Sequence, residues 1–360
     1  KLETEIFHLS YTFNGRTMKE QLPRAGDDIG DGIFMMFIND PRPASERLEN
    51  ITRRMEKIPE YLQKSIQCLD TPVARWVTIE IEKVSGMSGL FQTIQGWAES
   101  ENWPRLEALK SAREKAEEAI KVYTRKLAEL PTTENLHAGP DTARKIVALN
   151  GIERSLEELH QLATQFLANT RETIESLRGK LVKRYNLSPE TSADELGLFL
   201  KKKFCVELPT GNMGDVLARY EEERSRILSF IKEREMFPVF SDQDMKIMQT
   251  PRFMEPSIPA GAMVSPSPFR PGTKTSLVYL TLSEELLDEH TELEIPLMMI
   301  HEGIPGHHLQ LATAAIHPSV IRRHVDNMVH GEGWTTMLED YMLDQGYMGD
   351  LTDEARFCGK

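Results

Sequence analysis

The sequence predicts a mainly α-helical protein with one short β segment next to a helix of its C-terminal part. Apolar residues recur every three or four positions through most of the first 240 residues, which is the period of an amphipathic helix. Lys and Glu fill the opposite faces of these stretches. A single β-rich run at 276–281 is the best strand candidate in the chain.

The N-terminal helices follow from this periodicity. Residues 45–130 are predicted to be helical, and Pro131 ends the last helix of that stretch. Two further amphipathic helices are predicted at 152–181 and 216–237. The apolar positions of the first helix are Leu48, Ile51, Met55, Ile58 and Leu62. The corresponding stripe of the helix at 152–181 consists of Leu156, Leu159, Ala163, Phe166, Leu167, Thr170, Ile174 and Leu177.

The composition is that of a globular protein, and its net charge argues against some classes of binding partner. Of the 360 residues 40% are apolar and 28% charged, and the formal charge of −13 argues against nucleic acid or an anionic membrane as a partner. No apolar run approaches the about 20 residues of a membrane span. The absence of a visible signal peptide favours the cytoplasm, whereas a chain that starts at Lys1 looks trimmed and leaves an exported form open.

A histidine and a glutamate stand at the end of the apolar run 295–300, which predicts a buried helix. The pair is His301-Glu302, and burying a charged glutamate there is costly unless something compensates it. A divalent cation is a natural compensation, because imidazole binds zinc well. Three protein ligands plus one water form the open arrangement of catalytic zinc sites.

The familiar spacing of zinc hydrolases, with a second histidine four residues on, is absent because position 305 is proline. On a regular helix the next histidine, His307, would point about 240° around the axis from His301. His308 would point in a similar direction to His301 but lie about 10 Å further along the axis. Pro305-Gly306 can interrupt the helix, since proline removes a donor and glycine permits unusual torsions. A bulge that absorbs two residues would return His307 to the ligand position. His308 remains the alternative ligand, or a residue behind the ligands or facing the substrate.

The third ligand is predicted on a following helix. Glu332 lies 25 residues beyond His307, and the glycines on either side of it allow close packing. Glu339 falls seven residues later on the same helical face. Its carboxylate could accept the second ring proton of a metal-bound histidine and fix the tautomer.

These elements divide the chain at Thr250, where six prolines between 251 and 271 predict a loop or linker. Residues 1–250 are predicted to be a helical N-terminal part and 251–360 a metal-site part, together forming one continuous catalytic fold that extends past residue 360. The elements of the metal-site part are a strand at 276–282, a motif helix at 291–312 and a ligand helix at 330–345.

Several motifs resemble the bacterial domain-of-unknown-function family 885. They are the decapeptide at 301–310, Glu-Gly-Trp at 332–334 and Glu339. Segments at 42–48 and 58–62 also fit the N-terminal pattern of that family. The family in turn resembles helical metallopeptidases whose third ligand is a glutamate, the gluzincins, which include proteins similar to angiotensin-converting enzyme and the oligopeptidases.

The resemblance implies a large helical metallopeptidase-like fold and one Zn²⁺ ion. His301, His307 and Glu332 would be its ligands and Glu302 the general base. Two features depart from the gluzincins: the Pro-Gly insertion, and Thr336 where some relatives carry a companion acid. Other divalent metals, such as nickel or copper, would also bind such groups.

The expected function is that of a zinc-dependent hydrolase, more specifically a peptidase. Zinc would polarise the scissile carbonyl and acidify its bound water, while Glu302 moves the proton to the leaving amine. The predicted strand could bind an extended peptide by edge pairing. Two alternatives stay open: a metal-dependent amidase acting on a small non-peptide amide, and a non-catalytic helical binding protein with a vestigial metal site.

Overall fold

The computed structural model describes residues 2–13, 15–38, 40–250, 258, 260–282, 284–325 and 327–360. The fold is mainly α with a few short strands, as the sequence predicts. The chain forms two compact units. Unit 1 comprises the described residues up to Ile152, and unit 2 comprises Glu153–Thr250 and the described residues from Ile258 to Lys360.

Unit 1 is a helical assembly whose apolar faces follow the predicted period. The five predicted apolar positions of α4 are all buried, and α4 packs against α3 and α6. Helix α5 packs against α3 and α6 as well. The elements are α1 (Leu2–Ser10), β1 (Thr12–Phe13), β2 (Arg16–Thr17), α2 (Met18–Gln21), α3 (Ala25–Ile38), α4 (Ala44–Cys68), α5 (Ala74–Ser100), α6 (Leu106–Glu129) and α7 (Pro140–Leu149).

Unit 2 combines long helices, a three-stranded sheet and a group of shorter helices. Its first elements are α8 (Leu156–Arg184), α9 (Ala193–Lys203), α10 (Gly214–Glu233), β3 (Gln243–Gln249), β4 (Gly261–Val264) and β5 (Lys274–Leu280). A 3-10 turn (Glu284–Glu289) leads to α11 (Glu294–Met298), a π-helical turn (Met299–Gly303), α12 (His307–Ala315), α13 (Val320–His324), α14 (Met328–Asp344), a 3-10 turn (Gly349–Leu351) and α15 (Thr352–Cys358).

Strand β5 is the centre of the sheet. It pairs parallel to β3, with Gln243 opposite Lys274, and antiparallel to β4, with Gly261 opposite Leu280. The predicted strand at 276–282 therefore exists, shifted by two residues. The expectation that it binds a peptide by edge pairing is wrong, because both of its edges are already paired.

The predicted division of the chain at Thr250 does not coincide with the division into compact units. Helices α8, α9 and α10 belong to unit 2, because their apolar residues share one core with the sheet and the C-terminal helices. The change in composition marks a loop, part of which (251–257 and 259) lies outside the described residues. The residues that tie these helices to that core include Leu177, Leu181, Leu200, Tyr220 and Ile227.

The apolar stripe predicted on α8 is buried only towards the end of the helix. Leu177 and Leu181 are buried, whereas Phe166 and Leu167 are exposed. Among the described helices, none is both long enough and apolar enough to cross a membrane.

Candidate metal centre

The predicted motif helix at 291–312 is interrupted. Helix α11 passes into the π-helical turn, Ile304 is extended, and α12 starts afresh at His307. Gly306 makes this path possible, since a Cβ there would lie 2.0 Å from the carbonyl oxygen of His301 and 2.2 Å from that of Ile300. The interruption predicted at Pro305-Gly306 is confirmed, and the wider π turn extends it towards the N terminus.

A tryptophan of α14 holds the interruption in place. The indole nitrogen Nε1 of Trp334 donates a hydrogen bond to the carbonyl oxygen of Pro305, at 3.1 Å. Helix α14 is the predicted ligand helix and runs from Met328 to Asp344, instead of from 330 to 345. The hydrogen bond joins the helix that carries Glu332 to the turn between His301 and His307.

Three predicted ligands converge at this point. One side-chain donor atom from each of His301, His307 and Glu332 lies within 4.8 Å of the other two. Oε2 of Glu332 lies 3.5 Å from Nε2 of His301, and Oε1 of Glu332 lies 3.5 Å from Nε2 of His307. The side chain of Glu332 is 51% exposed, so the group is open on the side of this carboxylate.

The other ring nitrogen of His301 contacts Glu339. Nδ1 lies 2.7 Å from Oε1 of Glu339, and a carboxylate at this distance accepts the Nδ1 proton. In the neutral ring Nε2 then carries no proton, and its lone pair is directed towards Glu332 and His307. The buried hydroxyl of Thr335 lies 3.2 Å from the same Nε2.

His308 points away from this group and into the sheet. Its Nδ1 lies 2.7 Å from the hydroxyl of Ser276 in β5, and its Nε2 contacts the side-chain oxygen of Gln243 in β3. The ring is fully buried, and burial lowers the pKa of His308 to about 4. Because both ring nitrogens have partners in the sheet, the structure does not bring this alternative ligand to the other donors.

Glu302 lies half-buried in the π turn. Burial raises the pKa of its carboxyl; His301 opposes that shift and the nearby charge of Glu332 adds to it. Among the residues that the structure describes, none donates a hydrogen bond to this carboxylate. A raised pKa together with free oxygens is the condition in which a carboxylate can accept and release a proton.

The two histidines differ in their electrostatics. Burial lowers the pKa of His301, but the hydrogen bond to Glu339 and the charges of nearby carboxylates outweigh it, so the pKa is raised above its ordinary value. Burial lowers the pKa of His307, and the proximity of His301 lowers it further. Their rings are nearly perpendicular, with centroids 5.0 Å apart.

The donor set and its spacing fit a small divalent cation. Two imidazole nitrogens and a carboxylate oxygen are a ligand set of open zinc sites. With zinc–ligand distances of about 2.0–2.2 Å, tetrahedral ligands lie roughly 3.4 Å from one another. The two 3.5 Å separations, one to each oxygen of Glu332, are close to this value, and one donor atom from each residue lies within 4.8 Å of the other two. Small side-chain movements could therefore bring His301, His307 and Glu332 onto one ion.

Fold and site together define a mainly α protein in which two histidines and a glutamate, drawn from an interrupted helix and a second helix, form a potential metal centre. The chain belongs to the family of bacterial proteins of unknown function DUF885, which it matches over residues 8–358. This match confirms the family resemblance of the motifs. No curated protein matches the chain significantly.

Two solved structures share the fold. A protein from Shewanella oneidensis matches 99% of the chain with a TM-score of 0.69 and 16% identity. One from Colwellia psychrerythraea matches 92% of the chain with a TM-score of 0.70 and 15% identity. Each is described as a "putative lipoprotein", and the first as being of unknown function. The chain spans 66% and 61% of the lengths of these two proteins.

Sequence reasoning did not identify several residues around the site. Thr335 follows Glu332 by three residues, a spacing that places both on neighbouring positions of one helical face and could have drawn attention to it. The partners of His308, Ser276 and Gln243, carry no local signal. Their contact arises only when β3 and β5 pair and α12 packs on them.

Proposed function

We propose that this protein is a zinc-dependent hydrolase, and more specifically a peptidase that acts on peptide bonds. The observation that carries the proposal is the convergence of His301, His307 and Glu332 next to a carboxylate, Glu302, that has no donor among the described residues. The resemblance of the motif to the gluzincins supports the same reaction class.

The ligand roles follow from the contacts of the donors. His301, His307 and Glu332 would hold the ion, and Glu339 would keep the His301 ring in the tautomer that offers Nε2. When bound, Zn²⁺ supplies Lewis acidity, which polarises a carbonyl and makes water a stronger acid.

Glu302 would act as the general base. Its carboxylate accepts a proton as water adds to the scissile carbonyl, and returns that proton to the leaving amine. Both transfers need a carboxylate that is not already saturated with hydrogen bonds. The raised pKa of Glu302 brings its basicity closer to that of the amine that receives the proton.

The substrate would approach along the sheet edge formed by β4. This strand pairs with β5 on one side and lies beside the π turn that carries Glu302. An extended peptide could add to the outer edge of β4 by main-chain hydrogen bonds. Among the described residues no strand pairs with the outer edge of β4, so this edge takes the role that the sequence predicts for β5.

The test combines metal analysis with one substitution. Protein purified without chelators is expected to retain about one zinc ion per chain. In Glu302→Gln the metal content should be unchanged, while hydrolysis of a peptide library falls by about 10²- to 10⁴-fold. Glu222→Gln, an exposed glutamate of α10, is the matched control and should keep full activity.

The alternatives are separate outcomes of this test. Turnover of small amides but not of peptides would replace the peptidase by an amidase. Protein that retains no metal and turns over neither class of substrate would favour the non-catalytic binding protein with a vestigial metal site. Unchanged turnover in Glu302→Gln would rule out the proposed base, and absence of any bound metal would overturn the proposal.

A further inference from the structure

A cleft in unit 1 lies between α3 and α4, and the proposed function does not involve it. Its volume is about 570 Å³, within the range of about 300–1,000 Å³ that small-molecule sites occupy. Buried isoleucines form its apolar wall: Ile29 and Ile33 from α3, and Ile58 from α4. A cleft of this size with an apolar wall can take up the body of a small organic ligand.

The charge of the cleft is opposite to that of the chain. Arg42, Arg53, Arg54 and Lys57 line it, and Asp28 is the one acidic residue among its lining residues. The chain as a whole carries a formal charge of −13. Four cationic groups around one apolar cleft of an acidic protein therefore create a local preference for anions.

Arg54 differs from the other three cationic residues. Arg42 is paired with Asp40, Arg53 with Glu49 and Lys57 with Glu60. For Arg54 the described residues provide no carboxylate. Within the part of the chain that the structure describes, its guanidinium donates one hydrogen bond, from Nη1 to the carbonyl oxygen of Gly32 at 3.0 Å.

Gly32 provides the space in which this guanidinium lies. A Cβ at that position would be 2.5 Å from Nη1 of Arg54, so any larger residue would push the guanidinium aside. The side chain thus lies across α3 at the edge of the cleft, with several N–H groups still available. A planar guanidinium with free donors matches a carboxylate or phosphate group in a bidentate arrangement.

We propose that this cleft binds a small amphiphile with one anionic head, either a carboxylate or a phosphate. The head would pair with Arg54, and the aliphatic body would lie against Ile29, Ile33 and Ile58. An arginine that merely solubilises the surface needs neither an adjoining apolar cleft nor a glycine beneath it. The combination of the three features distinguishes this site from an ordinary charged helix face.

Calorimetry on the full chain tests the ligand class, with all amphiphiles kept below their micellar concentrations. Decanoate and decyl phosphate are the two probes, and their relative affinities identify the head group. Butyrate, which has the same head and a shorter body, should bind at least about tenfold more weakly than decanoate. Decylammonium should bind more weakly too, although the acidic chain attracts cations in general.

Two variants test the residues. Arg54→Met should weaken binding of the preferred probe by about fivefold or more, whereas Arg125→Met, at an exposed position of α6, should leave it unchanged. Gly32→Ala keeps every charge and adds a good helix former, yet should weaken binding because the guanidinium must move. Binding of neither probe, equal binding of decylammonium, or equal affinities of Arg54→Met and Arg125→Met would overturn the proposal.

Discussion

Two glutamates lie in apolar helical segments, Glu80 in α5 of unit 1 and Glu302 in the π turn of unit 2. Glu80 is 1% exposed, and its Oε1 accepts hydrogen bonds from the backbone N–H of Gly26 at 2.8 Å and from the hydroxyl of Tyr123 at 3.1 Å. Glu302 is half-buried and receives no hydrogen bond from the described residues. Burial raises the pKa of both carboxyls.

The two carboxyls differ somewhat in exposure, but burial raises the pKa of both, and the difference that separates their roles lies in the hydrogen bonds. A buried carboxylate with its donors in place stabilises the fold, because removing it leaves those donors unpaired. A carboxylate without donors contributes little to packing and is available for proton transfer. Burial of a charged group therefore does not by itself identify a catalytic residue, whereas burial combined with missing partners is informative.

The largest expected effect comes from truncating the two glutamates in parallel. Glu80→Ala should lower the free energy of unfolding by about 2–5 kcal/mol, because the Tyr123 hydroxyl and the Gly26 N–H each lose their acceptor. Glu302→Ala should change it by less than about 1 kcal/mol. Urea denaturation followed by circular dichroism measures both values. Equal losses in the two variants would contradict the distinction.

Two glycines at points of close approach, Gly306 in unit 2 and Gly26 in unit 1, offer a second comparison. Gly306→Ala should cost about 1–3 kcal/mol and reduce zinc affinity, since the new Cβ meets the backbone of His301 and must displace the turn. Gly26→Ala should cost less, because its Cβ would approach the side chain of Glu80 at 2.9 Å instead of a backbone atom.

Gly179→Ala in α8 serves as the control for these two variants. A Cβ there meets nothing within 4 Å, and alanine is the better helix former, so stability should rise slightly. Thermal unfolding together with zinc titration separates the effects on fold and site. A Gly306→Ala protein with normal zinc affinity would show that the turn tolerates a side chain.

A third prediction concerns the carboxylate behind His301. Glu339→Ala should lower zinc affinity by about 10- to 100-fold, because the His301 ring loses the acceptor that fixes its tautomer. Asp344→Asn, on the same helix and paired with Arg356 at the surface, should leave zinc affinity unchanged. Competition with a chromophoric chelator measures both constants. Equal affinities in the two variants would exclude the positioning role of Glu339.

The smallest expected effect is the dependence of stability on pH at Glu80. Its folded-state pKa lies above the ordinary value through burial, so the folded protein holds this proton more tightly than the unfolded chain. The stabilisation is complete below the ordinary pKa and is lost as the pH rises through the folded-state pKa. Glu80→Gln lacks this titration.

The free energy of unfolding of the wild type minus that of Glu80→Gln should therefore decrease as the pH rises above the ordinary glutamate pKa of about 4. Denaturation curves at several pH values test the trend, with other carboxylates cancelling in the difference. A difference that stays constant or grows with pH would mean that the hydrogen bonds of Glu80 outweigh its burial.

The sequence predicted the helices well where the apolar period reports directly on packing. The α4 positions from Leu48 to Leu62 are buried as expected, and α14 begins and ends within two residues of its predicted limits. The apolar period did not predict burial correctly on α8, where Phe166 and Leu167 are exposed. An apolar stripe shows which face a helix could bury, but it does not show whether another element packs against that face.

Strands β3 and β4 were missed for a different reason. Gln243–Gln249 alternates too weakly to predict a strand, and its pairing partner β5 lies some thirty residues further along the chain. The position of the His308 ring depends on the same pairing, because its two nitrogens contact β3 and β5. The sequence therefore could not settle whether His307 or His308 faces the other donors. The proximity of His301, His307 and Glu332 was predictable, because each stands in a motif of unusual composition.

The adjacent histidines at the start of α12 have a consequence for how the donors are oriented. His307 faces Glu332 while His308 is anchored to β3 and β5, so the strands fix the rotation of α12 about its own axis. A turn of that helix would withdraw both rings from their partners together. Through its contacts with His308, the sheet therefore helps to orient Nε2 of His307. Ser276→Ala, which removes one of these contacts, should weaken ion binding although Ser276 is not itself one of the proposed ligands.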